Sequence, residues 1–286
     1  MGFYPQLWGD KTLEQMRKEL ATTQRIVNTV TDYTPLTNGA RAEAYNGPKI
    51  AKVSAVDMPI ADDDFVNPSK TAFQILFDQE KGVPLIIKDI EKAQSNLDLV
   101  SLYTEDAKDG LLDAYDLFII QQIITNTAVA QRLTLADTEH NKLSKADFLD
   151  ARKALNAAGA PLKARYAVVN ADHESDLYSI DDFISRDKIP DTVALKDGVV
   201  GRLLGFDVLL YSDMPLVNSS GLLSGTQNKK VNVFYSKLAY GFGRQKEFGT
   251  KIEPSAGSAS DKLNIYSVFG GKIQTETYAV TKRDNA

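Results

Sequence analysis

Arg165-Tyr166-Ala167-Val168-Val169-Asn170, then Asp172-His173-Glu174, then Gly201-Arg202-Leu203-Leu204-Gly205-Phe206-Asp207-Val208 running on to Tyr211-Ser212-Asp213-Met214-Pro215, is the stretch that decides the fold. A short apolar run between turn residues reads as a buried strand. Asp172 or His173 opens a helix, because acidic side chains there meet the free N–H groups of a first turn. Gly201 and Gly205 bound a turn that runs into a second strand. Strand, helix and strand in this order predict an α+β chain.

Upstream, Ser144-Lys145-Ala146-Asp147 approximates a capping box. It opens a helix with Phe148, Ala151 and Leu155 on its apolar face and Gly159 and Pro161 as its stop. A further short helix is expected after Asp181. Before this block, Tyr103, Ala107, Gly110, Leu111, Ala114 and Phe118 recur at three- and four-residue intervals. They predict a helix over about 97–126, roughly 45 Å long at ~1.5 Å per residue. The apolar runs 73–77 and 83–87, separated by Asp78-Gln79-Glu80-Lys81-Gly82, read as two strands of one hairpin, with Pro84 marking an edge or a strand start. Residues 40–64 hold short extended pieces at 50–56 and 58–60, Asn46-Gly47-Pro48 and the acidic Asp62-Asp63-Asp64. They predict a protruding two-stranded loop. Residues 1–39 read as an arm with an amphipathic helix over 12–30, ended by Asp32-Tyr33-Thr34-Pro35. Downstream, 231–235, 263–268 and 276–281 alternate as strands, and 251–260 reads as a flexible connection.

Composition narrows the function. The 286 residues are 43% apolar and 25% charged, as in a folded globular chain. There is no cysteine, which removes disulfides, thiolate nucleophiles and cysteine-ligated metals, and suits synthesis in a reducing cytosol. The first ten residues lack the basic and apolar regions of a secretory signal, and Gln6 stands where a Gly2 lipidation motif requires Ser or Thr. The most apolar stretch, 117–124, is interrupted by two glutamines and is far shorter than the roughly 20 residues of a spanning helix. A soluble protein is expected, with no membrane partner. Net charge is −5, so no pervasive basic field favours non-specific binding to phosphate backbones.

Candidate chemistry is sparse. Glu105, Asp106, Asp109, Asp113 and Asp116 could hold a hard cation. No histidine has the spacing of a helical metal site, so the stripe reads as a solvated or subunit-facing surface. His173 among Asp172, Glu174 and Asp176 could be a metal or acid–base centre, yet the same residues also make an ordinary helix start. Gly201-x-x-x-Gly205 lacks the Lys-Ser/Thr of a phosphate loop, Gly241-x-Gly243 lacks its third glycine, and both are accounted for as tight turns. Ser224 lacks nucleophile-elbow spacing. Lys229-Lys230 and Arg244-x-Lys246 are small basic groups that could meet phosphate or a neighbour's acidic helix, but either pair alone reads first as an ordinary solvated surface. No catalytic residue, cofactor or metal is assigned.

The order of elements resembles the major capsid proteins of tailed phages, the Hong Kong phage capsid fold shared with herpesvirus floors and encapsulins. The local match lies in 165–170 and 201–215, where capsid axial domains show a strand, then a glycine-led strand running into Ser and a proline loop. The resemblance implies an N-terminal arm (1–39), an extended loop (40–70), peripheral-domain strands and spine helix (71–134), an axial domain (135–240) and a return to the peripheral domain (241–286). It implies self-association into hexamers and pentamers of an icosahedral shell around double-stranded DNA, without sequence-specific binding. Assembly is expected in the host bacterial cytoplasm. No coiled-coil extension precedes the arm, so a separate scaffolding protein is implied, as is a portal. Subunit contacts are expected at Asn46, Lys49, Lys52, Asp62, Asp63, Asp64, Glu105, Asp109, Asp113 and Asp116. Alternatives are an encapsulin-like nanocompartment, a tail or baseplate component and, from another class, a metal-dependent enzyme centred on His173.

Overall fold

The structure, a computed structural model, describes residues 25–34, 44–50, 58, 70–88, 99–180, 199–225, 229–254 and 260–285. In chain order its elements are β1 (Thr31–Asp32), β2 (Ala44–Ile50), β3 (Lys70–Leu76), β4 (Gln79–Lys88), α1 (Leu99–Asn126), β5 (Arg132–Thr134), α2 (Lys145–Ala157), β6 (Arg165–Asn170), α3 (Glu174–Tyr178), β7 (Val199–Leu203), β8 (Phe206–Tyr211), β9 (Val231–Ser236), β10 (Tyr240–Pro254), β11 (Ser260–Ile273) and β12 (Ala279–Arg283).

β6 and β8, the strands of the deciding stretch, pair in parallel inside a six-stranded sheet of order β5-β12-β9-β6-β8-β7. Alternation along each strand splits its side chains between two cores. Ala167, Val169, Phe206, Val208, Phe234 and Val280 face Phe148, Ala151 and Leu155 of α2. Val168, Leu209, Val233 and Tyr235 face Ile119, Ile120 and Ile123 of α1. Both faces are therefore covered, which is why all six residues of β9 are buried. Leu204 and Gly205, with φ of 50° and 87°, make the two-residue turn between β7 and β8, the left-handed pair that a primed hairpin turn requires.

α1 serves two sheets. Its second half lies under the six-stranded sheet, while Ala107 and Leu111 in its first half pack on Leu263 and Ile265 of β11. β11 belongs to a four-stranded sheet of order β1-β10-β11-β4. At ~1.5 Å per residue the 28 residues of α1 span roughly 42 Å, enough to underlie both sheets. β2 and β3 form a separate antiparallel ribbon. The end of β3 presses on β11 so closely that a Cβ at Gly270 would collide with the Leu76 carbonyl oxygen.

Several expectations need correction. β3 and β4 do not form a hairpin with each other: β3 pairs β2 and β4 pairs β11, with 79–82 inside β4 rather than in a turn. Apolar runs dictate strands but not partners, and the long edge of β11 satisfies all ten residues of β4. Pro84 does lie on an edge strand, where a missing N–H is tolerated. Gly241 and Gly243 sit within β10, where a Cβ would press on the rings of Tyr33 and Phe77, so neither marks a tight turn. Within the helix expected over 12–30, Arg25 is extended and Ile26–Thr29 is a 3-10 turn leading into β1, so no α-helix runs through this end. Residues 276–278 form a 3-10 turn before β12. β12 enters the six-stranded sheet between β5 and β9, and β5 joins that sheet too. The strands expected at 51–56 and 59–60, the rest of the arm and the helix after Asp181 lie outside the described residues.

Candidate functional site

The carboxylate stripe of α1 meets the segment 25–34 of its own chain. Asp109 lies 3.6 Å from the Arg25 guanidinium, and Asp113 is hydrogen-bonded to it. Asp116, one turn further on, is only 3% exposed and accepts the Val27 backbone N–H at 2.8 Å. Burial pushes its carboxyl up to about 6, against the opposing pull of the Val27 N–H and the Arg25 charge. Asp116 is thus turned into its own chain, beneath Val27. Asp109 and Asp113 likewise have an intramolecular partner, whereas Glu105 is exposed. Spacing on the helix could not reveal the cover, because Ile26 and Val27 come from about ninety residues earlier.

Asn46 is exposed on the β2–β3 ribbon opposite Gln74, and Lys49 lies in β2 in register with Thr71. Lys52, Asp62, Asp63 and Asp64 lie outside the described residues. The structure thus brings Asp109, Asp113 and Asp116 together around Arg25 and Val27, and leaves the ribbon residues apart from them.

The metal-enzyme alternative requires His173 and its acidic neighbours to converge, and they do not. His173 is buried at 5% exposure, with Nδ1 3.0 Å from the Asn232 amide nitrogen and Nε2 3.5 Å from Asp284. Asp172 pairs with Lys230 at 3.0 Å, Asp176 accepts the Leu143 N–H at 3.0 Å, and the Tyr178 hydroxyl donates to Glu174 at 3.4 Å. Three carboxylates with three separate partners are structural. Among the described residues no cluster of three metal-ligating side chains forms. The basic groups are used locally as well: Lys229 donates to the Asn285 carbonyl at 2.8 Å, Arg244 lies 3.9 Å from Asp32, and Lys246 stands over the Tyr266 ring.

One ionic centre escaped the sequence reading. Lys282 of β12 is 2% exposed, with its ammonium 3.2 Å from Asp147 and 3.0 Å from Asp150. Asp147 also accepts the N–H of Ala136 at 2.8 Å and of Ser144 at 2.9 Å, the latter closing the expected capping box. A cap and a buried ion pair thus share one carboxylate, and they tie α2 to the six-stranded sheet. The alternating run expected as a strand stops at Thr281, one residue short of Lys282, so no local pattern marked this lysine.

Comparison with known proteins gives one family match and a shared fold. The profile described as phage capsid protein matches residues 92–281, about two thirds of the chain. Among solved structures, one from Mycobacterium phage Che8 is similar with a TM-score of 0.66 and 23% identity, covering 98% of this chain and 97% of that one. The head structure of Helicobacter pylori bacteriophage KHP40 gives a TM-score of 0.67 at 10% identity, covering 90% and 88%. The capsid of cyanophage P-SCSP1u gives 0.64 at 12%, covering 92% and 89%. No curated protein matches. A helix shared by two sheets, a separate two-stranded ribbon, ionic groups spent on packing and a family match over most of the chain lead to one conclusion: the chain belongs to the phage capsid protein family and is a major capsid subunit of a phage shell.

Proposed function

We propose that this subunit assembles as hexamers and pentamers into an icosahedral shell that encloses the double-stranded DNA of a tailed phage without reading its sequence. A separate scaffolding protein and a portal act as its partners, and assembly proceeds in the host bacterial cytoplasm. Its role is structural rather than catalytic. The observation that carries this reading is the joint made by α1, whose two halves share cores with the six-stranded and the four-stranded sheet. Such a beam fixes the angle between an axial body, built on the six-stranded sheet and α2, and a peripheral body, built on the four-stranded sheet. Constant geometry within each copy is what a closed shell of repeated contacts needs. The β2–β3 ribbon supports the same reading. Two strands alone are marginally stable in water, and the ribbon gains a partner when it lies along a neighbouring copy. Asn46, Lys49, Lys52, Asp62, Asp63, Asp64, Glu105, Asp109 and Asp113 are the proposed contacts, Asp109 and Asp113 after sharing Arg25.

Electron microscopy of the chain co-expressed with its scaffolding protein tests this. Closed icosahedral particles are expected. Tubes, rings or discrete small oligomers would overturn the shell assignment in favour of a tail component.

A further inference from the structure

We infer that residues 25–34 form a strap on the body of the subunit, and that the hold of this strap is set by the protonation of Asp116, firmer in acid and looser above neutrality. The strap is held at several points. Ile26 and Val30 are buried in the core beneath α1, and the Thr29 hydroxyl is hydrogen-bonded to Tyr235. The Thr31 hydroxyl donates to the Lys237 carbonyl at 3.0 Å, β1 runs parallel to β10, and the Tyr33 N–H donates to the Phe242 carbonyl at 2.8 Å. Most of these contacts are neutral. The charged ones are Arg25 with Asp109 and Asp113, Asp32 with Arg244, and the carboxylate of Asp116, which the strap itself covers through Val27.

The groups facing Asp116 are Arg25 on the strap, Asp113 on its own helix, Tyr211 at the end of β8 and Tyr235 on β9, with Asp213 beyond Tyr211. Burial holds both tyrosines above the ordinary phenol range, so they stay neutral wherever Asp116 titrates. Arg25 is shared with Asp109 and Asp113 and cannot be given wholly to Asp116. With the strap down, an ionised Asp116 is a half-compensated charge in an apolar core. With the strap lifted, it is an ordinary carboxylate in water. The docked state therefore takes up a proton more readily, since burial raises this carboxyl from 3.8 to about 6. Docking gains strength as pH falls through about 6, and that gain is lost as pH rises through the same point. From about pH 7.5 to about pH 5 the docking equilibrium shifts about tenfold toward the strapped form.

Hydrogen exchange on the full-length, unassembled subunit reads this directly, as protection factors corrected for intrinsic rate. The Val27 amide is compared with amides of β9 in the same molecule. The expected result is a roughly tenfold rise in relative protection at Val27 between about pH 7.5 and about pH 5. Asp116→Asn keeps an oxygen acceptor for Val27 without a charge, and is expected to show high protection at both values. A pH-independent ratio in the natural chain, or an Asp116→Asn chain with the same pH dependence as the natural one, would overturn the inference. The ratio in the natural chain decides alone should the variant not fold.

Discussion

Lys282 enters the interior with its charge and finds two carboxylates and the Thr134 carbonyl around its ammonium. Removing one member of a buried pair is costly, because the other is left charged in an apolar surround. Lys282→Met leaves Asp147, which is fully buried, without its cation. The expected loss is about 3–5 kcal/mol, read as a lower urea midpoint with an unchanged slope. His173 sits in a comparable polar nest, and Asp284 beside it is raised by desolvation. At this scale the sequence was informative about identity and silent about burial. Asp113 and Asp116 look alike in a stripe of carboxylates, yet one side chain is 61% exposed and the other is sealed by Val27. What separates them is a contact made across the fold, and no local pattern encodes it.

Elements differ in how much of their definition is local. α2 could be read to within two residues of each end, because Ser144, Asp147 and the positive φ of Gly159 act within a few residues of the backbone they cap or stop. α1 was equally legible from its apolar spacing. β4 was legible as a strand, but its pairing was not, since β11 lies well over a hundred residues away and spacing carries no address. β10 was missed for a related reason: its glycines read as turns, whereas they make room for Tyr33 and Phe77 from other elements. The same distinction between local and distant constraint yields a test within α1. Gly110 is exposed in the middle of the helix, and a Cβ there would meet only the Val83 side chain at 3.9 Å. Gly110→Ala is therefore expected to stabilise the subunit by about 0.5–1 kcal/mol, through the smaller entropy lost on forming the helix. Thermal unfolding of the isolated chain would register it as a modest rise in Tm.

The whole molecule divides into a body with shared cores and a ribbon that contributes little to them. Among the described residues, none of the three apolar clusters draws a buried residue from 44–76. Replacing residues 44–76 with a short Gly/Ser linker is thus expected to leave a folded, monomeric body with far-ultraviolet circular dichroism typical of mixed helix and strand. Sedimentation of that chain with its scaffolding protein should show no particles, whereas shells of normal size would mean that the ribbon is dispensable for assembly. The place of β12 bears on a different matter, the order in which the chain is made. A ribosome delivers residues 279–283 after every other described strand of the six-stranded sheet, yet they lie between β5 and β9 rather than at an edge. Until they emerge, β5 has no strand to pair with and β9 keeps an open flank. Chains terminated before residue 279 therefore lack a finished sheet.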